Sequence, residues 1–304
     1  MATQKMKLAY KTKLGECFVT KLERALLSDR FKRLAGKVDL ILTSPPFPLK
    51  RQKRYGNLNG EAYLEWLSLI AADLKQLLKP RGSIVIEMGN AWEEHAPSMS
   101  TVPIKALLRF LEAGQFHLCQ QFVWYNTAKL PGPAQWVTIE RSRVKDAFTH
   151  LWWMSKTGRP KADNRRVLVA YSRSMQRLLK TKRYNSGMRP SQHNIGEKSF
   201  LKDNGGAIPS NVIIAANTNS SSNYYEYCKA LCLPVHPARM ATDVVEFFIE
   251  LLTRPGDLVF DPFAGSNTTG FCAEKMHRKW IAVESDETYV KGSYGRFVQK
   301  GAFR

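Results

Sequence analysis

Apolar residues along this chain fall into short unbroken runs and helical stripes that alternate, and the alternation breaks once, in the middle. Residues 37–43 form a compact apolar run, with Val38, Leu40, Ile41 and Leu42, that stops at Pro45-Pro46 and predicts a strand. Residues 61–78 place Leu64, Leu67, Ile70, Leu74 and Leu78 at helical spacing, and Lys79-Pro80-Arg81-Gly82 reads as a stop and turn before a strand over 83–88. A helix over 103–111 closed by Gly114, a strand over 116–125 and an aromatic-rich strand over 148–154 follow. From Thr242, expected to cap a helix through Leu252, the alternation resumes: strand 257–261, helix 267–279, strand 280–284 and an amphipathic helix over 286–299. Strands separated by helices of this length favour a mostly parallel sheet covered on both faces, so both blocks are expected to share one sheet.

The middle differs in composition as well as pattern. Residues 156–183 hold ten basic side chains against one acid, Asp163. Residues 181–223 are then rich in Gly, Ser, Asn and Pro, yet keep Ile208, Val212, Ile213 and Ile214, which points to an ordered, loop-rich insert instead of a disordered linker. With 304 residues, 44% of them hydrophobic, the chain has material for one large domain or one domain with an insert.

Charge narrows the partners. Lys and Arg number 46 against 26 Asp and Glu, a net +20 with pI near 9.8, which suits a polyanion such as nucleic acid. No run of 18 apolar residues exists and residues 1–13 lack the apolar core of an export signal, so neither a membrane partner nor export is expected. The five cysteines, Cys17, Cys119, Cys228, Cys232 and Cys272, are scattered and odd in number, as in a cytoplasmic protein with reduced thiols. Cys228 and Cys232 have no second pair, so no metal site is expected.

Two stretches carry chemistry. Residues 258–270 run from a strand through Asp261-Pro262-Phe263-Ala264-Gly265-Ser266-Asn267-Thr268 into a helix, and Glu284 ends the next strand 19 residues after Gly265 (284 − 265). Gly265 lets the backbone turn sharply beside a ligand, and an acid so placed accepts hydrogen bonds from both hydroxyls of a ribose. Neither Gly-Lys-Ser/Thr nor G-x-G-x-x-G is present, so the ligand expected is a nucleoside without phosphates, of which S-adenosylmethionine is one. The other stretch is Ser44-Pro45-Pro46-Phe47 at the carboxyl end of a strand. A rigid loop there can accept both hydrogens of an exocyclic amino group, at Ser44 Oγ and at a carbonyl near Pro45, and so raise the nucleophilicity of a nitrogen whose lone pair is delocalised into a base. Phe47 would stack on a base turned out of the helix. Carbon-5 methylation of cytosine would need a cysteine nucleophile, and no Pro-Cys dipeptide exists.

With both stretches in this order around the basic insert, and with Tyr55-Gly56-Asn57, Lys129-Leu130-Pro131, Trp152-Trp153 and Asp203-Asn204-Gly205-Gly206, the chain resembles the β-class amino-methyltransferases of restriction–modification systems, and among them the PvuII-type cytosine-N4 enzymes. The resemblance implies a Rossmann-like, S-adenosylmethionine-dependent methyltransferase fold, mostly parallel with one antiparallel edge hairpin, plus a loop-rich target-recognition insert. It divides the chain into a catalytic half, 1–155, a target-recognition region, 156–234, and a cofactor-binding half, 235–304. The implied activity is site-specific methylation of cytosine N4 in double-stranded DNA by base flipping. Adenine-N6 methylation is the runner-up because Ser in place of Asp or Asn at position 44 is what favours cytosine. RNA or protein-glutamine methylation and a catalytically silent DNA-binding regulator are further alternatives. Asp261, Pro262, Phe263, Gly265, Ser266, Asn267 and Thr268 would line the methionine moiety, Glu284 would hold the ribose and Glu16 would lie near the adenine ring. His236, Pro237 and Arg239 belong to the segment before the cofactor strand, where a helix N-terminus would meet the cofactor carboxylate. Asn267 replaces a second glycine of the pattern, and Glu16 lengthens the usual Asp. Lys50, Arg51, Lys53 and Arg54 would clamp phosphates, and Arg189, His193, Lys202 and Asn204 would read the groove. A cognate restriction nuclease or an orphan role, and a monomer or a homodimer, are all compatible with the family.

If the +20 charge serves DNA, affinity for a duplex falls at least a hundredfold between about 50 and about 200 mM salt, as counterion release requires. Fluorescence anisotropy over that range checks it, and a flat response removes DNA as the reason for the charge.

Overall fold

The computed structural model describes residues 6–48, 58–218 and 222–299. In chain order the elements are β1 (Lys7–Lys11), β2 (Gly15–Val19), α1 (Leu22–Leu27), α2 (Asp29–Lys32), β3 (Val38–Thr43), α3 (Gly60–Leu77), β4 (Leu78–Gly89), α4 (Val102–Gly114), β5 (His117–Tyr125) and β6 (Phe148–Ser155). After them come α5 (Arg173–Thr181), β7 (Gly187–Met188), β8 (Asn194–Ile195), β9 (Val212–Ile214), α6 (Asn223–Ala230), α7 (Thr242–Leu252), β10 (Leu258–Asp261), α8 (Thr268–Lys275), β11 (Lys279–Glu284) and α9 (Glu287–Ser293). The chain forms two compact units, Met1–Ala162 with Asn211–Arg304, and Asp163–Ser210.

The larger unit holds one nine-stranded sheet in the order β1-β2-β11-β10-β3-β4-β6-β5-β9. From β2 to β4 every pairing is parallel, β1 and β2 make an antiparallel hairpin at one edge, and β6 runs against both β4 and β5. Both sequence blocks do contribute to one sheet: β10 and β11 from the last fifth of the chain lie between β2 and β3. All six residues of β3 are buried, as an unbroken apolar run at a sheet centre must be. Side chains alternate across the sheet. Val38, Ile41, Ile84, Ile86, Phe260 and Ile281 meet the apolar stripe of α3, whose Leu64, Leu67, Ile70 and Leu74 are buried, and Phe110 of α4 stacks on Phe116 at 5.4 Å. The opposite face carries α7, which packs on β3 and on α8.

The small unit holds α5, opened by Ser172 Oγ accepting from Met175 N at 3.2 Å, and the β7–β8 ribbon. It falls inside the 156–234 region that the sequence set apart. Among the described residues no helix is long and apolar enough to cross a membrane.

Several local expectations needed correction. Residues 79–82 do not turn: α3 passes directly into β4, and Pro80 to Gly82 run extended. Neighbours hold that stretch in the sheet, Lys79 Nζ reaching Asp39 Oδ2 at 2.7 Å and Ser155 Oγ donating to Gly82 O at 2.8 Å. Thr242 is the first residue of α7, not its cap; the cap position is Ala241. Helix α8 stops at Lys275, because His277 takes a left-handed φ of 62° and frees Lys279 to start β11. The terminal helix keeps only Glu287–Ser293, followed by a 3-10 turn over Tyr294–Arg296. The hairpin β1–β2 and helix α6 left no clear apolar period in the sequence; β1 is mostly exposed.

Candidate active site

Three loops meet at the carboxyl edge of the sheet, and a buried contact fixes two of them together. Thr43, the last residue of β3, is 1% exposed and donates from Oγ1 to Asp261 Oδ1 at 2.7 Å; Asp261 is the last residue of β10. Phe263 N donates to the same oxygen at 3.1 Å. Burial pushes the Asp261 carboxyl up to about 6 against the pull of hydrogen bonds from Thr43, Thr269 and Phe263. From Thr43 the chain enters Ser44-Pro45-Pro46-Phe47, where the two ring-locked φ angles stiffen the loop. The Phe47 ring lies so close over Gly89 that a side-chain carbon there would come within 2.5 Å of it.

From Asp261 the chain enters the second loop. Gly265 has a left-handed φ of 50°, and a Cβ on it would meet the His236 imidazole at 2.9 Å, so the position requires glycine twice over. Gly265 N donates to Glu284 Oε2 at 2.8 Å, while Glu284 Oε1 accepts from Ser285 N at 2.7 Å and Asp286 N at 2.9 Å. The partly buried Arg296 braces the loop: Nε donates to Ser266 O at 2.6 Å, and Nη2 donates to Ser266 Oγ at 2.9 Å and Thr268 Oγ1 at 3.0 Å. Burial lowers the Arg296 pKa to about 10. His236 comes from the third loop; its Nδ1 donates to Ala238 O at 2.5 Å, its ring meets Tyr289 edge-on at 4.5 Å, and burial lowers its pKa.

Two cavities open between these loops. The first, about 500 Å³, is lined by Phe263, Gly265, Glu284, Thr20, Trp66 and His236 among others; the second, about 410 Å³, by Glu87, Asn90, Trp92, Trp124, Lys129 and Thr149 among others. Ser44, Phe47, Ala238 and Arg239 line both. Ser44 and Phe47 thus stand in the partition between two nucleoside-sized spaces. Glu87, inside β4, is 5% exposed and hydrogen-bonds Ser44; burial pushes its carboxyl up to about 7, with the Ser44 and Thr149 hydrogen bonds and the Lys129 charge pulling the other way.

Residues 38–294 match the family model described as DNA methylase, covering the N6 and N4 enzymes. The chain belongs to the N6/N4 DNA methylase family. It is 44% identical over 263 residues to the type II methyltransferase M.PvuII of Proteus hauseri, covering 86% of this chain and 78% of the relative. The solved structure of the cytosine-N4-specific PvuII DNA methyltransferase superposes with a TM-score of 0.78 and 35% identity, over 97% of this chain and 90% of that one. The DNA adenine methyltransferase YhdJ of Escherichia coli K12 is 24% identical, over 92% of this chain and 83% of its own length. The fold is also that of the M1.HpyAVI–SAM complex, with a TM-score of 0.54 and 20% identity over 94% of this chain and all of that one.

Within this methylase, Asp261, Pro262, Phe263, Gly265, Ser266, Thr268, Glu284, His236 and Arg239 all line the first cavity, as do Ser44, Pro45, Pro46 and Phe47. Three residues expected around the cofactor stand elsewhere. Glu16 points to Lys11 Nζ at 2.8 Å and Arg30 Nη2 at 2.5 Å and is absent from the cavity wall; β2 pairs Glu16 with Ile281, so the hairpin reaches the site only at Thr20. Pro237 lines the second cavity and not the first. Asn267 is fully buried behind the loop: with a left-handed φ of 52°, it caps α8 by accepting from Gly270 N at 3.0 Å and donates to Tyr10 Oη at 3.0 Å. An asparagine tolerates the backbone that the family pattern gives to glycine and adds a cap. In the small unit Arg189, His193, Lys202 and Asn204 are at least partly exposed, and Arg189 N donates to His193 O at 2.8 Å across the β7–β8 turn. Lys50, Arg51, Lys53 and Arg54 lie outside the described residues. Glu87, Trp66 and Thr20 were not singled out from sequence, where the lone acid in Ile84-Val85-Ile86-Glu87-Met88 marks only Glu87, and Lys129 stood in the family motif Lys129-Leu130-Pro131 without a role.

The dual role of Asn267 sets a ranking. Asn267→Ala loses the cap and keeps the unfavourable φ, lowering the unfolding free energy by about 1–2 kcal/mol, while Asn267→Gly costs only a few tenths. Urea denaturation of the two variants checks the order.

Proposed function

We propose that this methylase transfers the methyl group of S-adenosylmethionine to the exocyclic N4 of a cytosine flipped out of double-stranded DNA at a short specific sequence. The observation that carries the reading is the position of Ser44 in the partition between the two cavities. The first cavity suits the cofactor. Its volume, the close backbone approach at Gly265, the aromatic Phe263 and the Glu284 carboxylate fit a nucleoside, and Glu284 Oε2, which accepts from one amide only, retains a lone pair for a ribose hydroxyl. When bound, the cofactor supplies a sulfonium methyl group, an electrophile that needs no activation by a metal.

The second cavity suits the base, with Phe47, Trp92 and Trp124 to pack against its ring and Ser44 and Glu87 to meet its amino group. Ser44 donates its hydroxyl proton towards the Glu87 carboxylate, which makes the Ser44 Oγ lone pairs better acceptors for an amino N–H. With the cofactor bound, a nitrogen so held would take the methyl group as the carbon–sulfur bond breaks, and the surplus proton on nitrogen would pass to Ser44 Oγ while that of Ser44 passes to Glu87. The resemblance to M.PvuII supports cytosine over adenine, and the net +20 supports a duplex ligand, with the exposed basic side chains of residues 163–210 as its candidate recognition surface.

Ser44→Ala reduces methyl transfer at least a hundredfold and leaves the calorimetric affinity for S-adenosylmethionine within about twofold. Nucleoside mass spectrometry of treated DNA reads both rate and product: N4-methylcytosine is expected, and N6-methyladenine would move the target base and keep the mechanism. Because Glu87 must be ionised to accept a proton, kcat/KM rises with pH through a midpoint near 7 and levels off above it. Glu87→Gln is slow and flat over the same range.

A further inference from the structure

The second cavity is lined by a cation, Lys129, that favours the ionised form of Glu87 and has no contact with the base in the methyl-transfer steps above. Lys129 follows a turn closed by its own N–H donating to Asn126 O at 3.2 Å, and Lys145 Nζ holds its carbonyl at 3.2 Å. Its ammonium stands 3.9 Å from Asp146 Oδ2, near enough to be steered by that charge but short of a hydrogen bond. Asp146 is itself fixed. Asn90 Nδ2 donates to Asp146 Oδ1 at 2.8 Å, Asn90 Oδ1 accepts from His150 Nε2 at 3.1 Å, and His150 Nδ1 accepts from Gln121 Nε2 at 3.1 Å. Burial holds the His150 pKa down, so the ring is neutral and this assignment of donors and acceptors is the one the neutral ring satisfies. Three side chains, Asn90 just after β4, Gln121 on β5 and His150 on β6, thus position the Asp146 carboxylate, and that carboxylate steers the Lys129 charge at the cavity wall.

The wall therefore carries both hydrogen acceptors, Ser44 and Glu87, and a hydrogen donor, Lys129. Cytosine has the matching pattern along one edge: amino donors, then a ring nitrogen, then the carbonyl O2. Adenine has the same amino group and adjacent ring nitrogen, but a C–H where cytosine has its carbonyl.

We propose that Lys129 is the specificity-determining residue for the target base, donating a hydrogen bond to O2 of the flipped cytosine and leaving adenine with an unmatched cation. The inference rests on the cytosine reading above. A partly buried donor that loses its acceptor costs far more than a neutral contact, so one lysine suffices to separate the two bases.

The test pairs the residue with the atom it touches. Duplexes carrying the methylated site are prepared with cytosine, or with a 2-aminopyridine C-nucleoside that keeps the amino group and ring nitrogen but has no carbonyl. Wild type is expected to lose on the order of tenfold to a hundredfold in kcat/KM on the carbonyl-free base. With rates taken on the high-pH plateau, where Glu87 is ionised with or without the Lys129 charge, Lys129→Met is expected to lose a similar factor on cytosine, nothing further on the analogue, and to bind S-adenosylmethionine normally. Losses that multiply would mean that Lys129 acts without touching O2, for instance on a phosphate, and would overturn the inference alone. Undiminished wild-type turnover on the carbonyl-free base overturns it without any variant. Formation of N6-methyladenine by wild type overturns it together with the cytosine reading.

Discussion

The hydrogen bond from Thr43 Oγ1 to Asp261 Oδ1 joins positions 218 residues apart in sequence, and the geometry of the site depends on it. It links the end of the strand that carries Ser44 to the end of the strand that carries Gly265. Each loop leaves its strand within one or two residues of this bond, so a shift in either would be felt in the other. The bond is buried, and its acceptor is a carboxyl that burial alone would drive towards the neutral form. Thr43, Thr269 and Phe263 N counter that tendency by donating to it. Charge-assisted bonds of this kind contribute about 1.5–3 kcal/mol, and removing the donor would leave a buried carboxyl short of a partner.

The same economy recurs around the cavities. Backbone amides of Gly265, Ser285 and Asp286 hold Glu284, the Arg296 guanidinium holds Ser266 and Thr268, and Asn90 holds Asp146. Loops that carry chemistry are usually the least constrained part of a fold. Here each is tied to a neighbour by a polar side chain whose own rotamer is fixed by burial or by a second contact, which is the condition for placing reacting atoms within a fraction of an ångström.

How much of this was legible beforehand depended on whether the signal was local. Ser44 to Phe47 and Asp261 to Thr268 are contiguous and end apolar runs, so their place at the strand ends could be read from a few residues each. Glu284 followed from the length of one helix and one strand. The role of Glu87, and that of Lys129 within its quoted motif, could not be read that way, because their meaning comes from the pairing of β4 with β3 and β6 and from the packing of a loop after β5. Glu16 was misplaced for a related reason: sequence position suggested the adenine ring, but the register of β2 on β11 and two basic neighbours turn it to other partners. Asn267 looked like a defect in a glycine pattern and is a cap. The run 79–82 looked like a turn because Pro and Gly mark turns on average, and contacts from Asp39 and Ser155 overrode that preference.

The insertion of β10 and β11 between β2 and β3 has a consequence for how the protein comes into being. The hairpin is synthesised well before its parallel neighbour β11, so β2 waits through more than 250 residues of translation for the partner that covers it. Contacts so distant along the chain make for slow folding. The same wiring keeps Ser44 apart from Gly265 in every nascent chain that has not yet reached β10. An interrupted translation product that stops short of β10 therefore carries Ser44 without the Gly265 loop and Glu284.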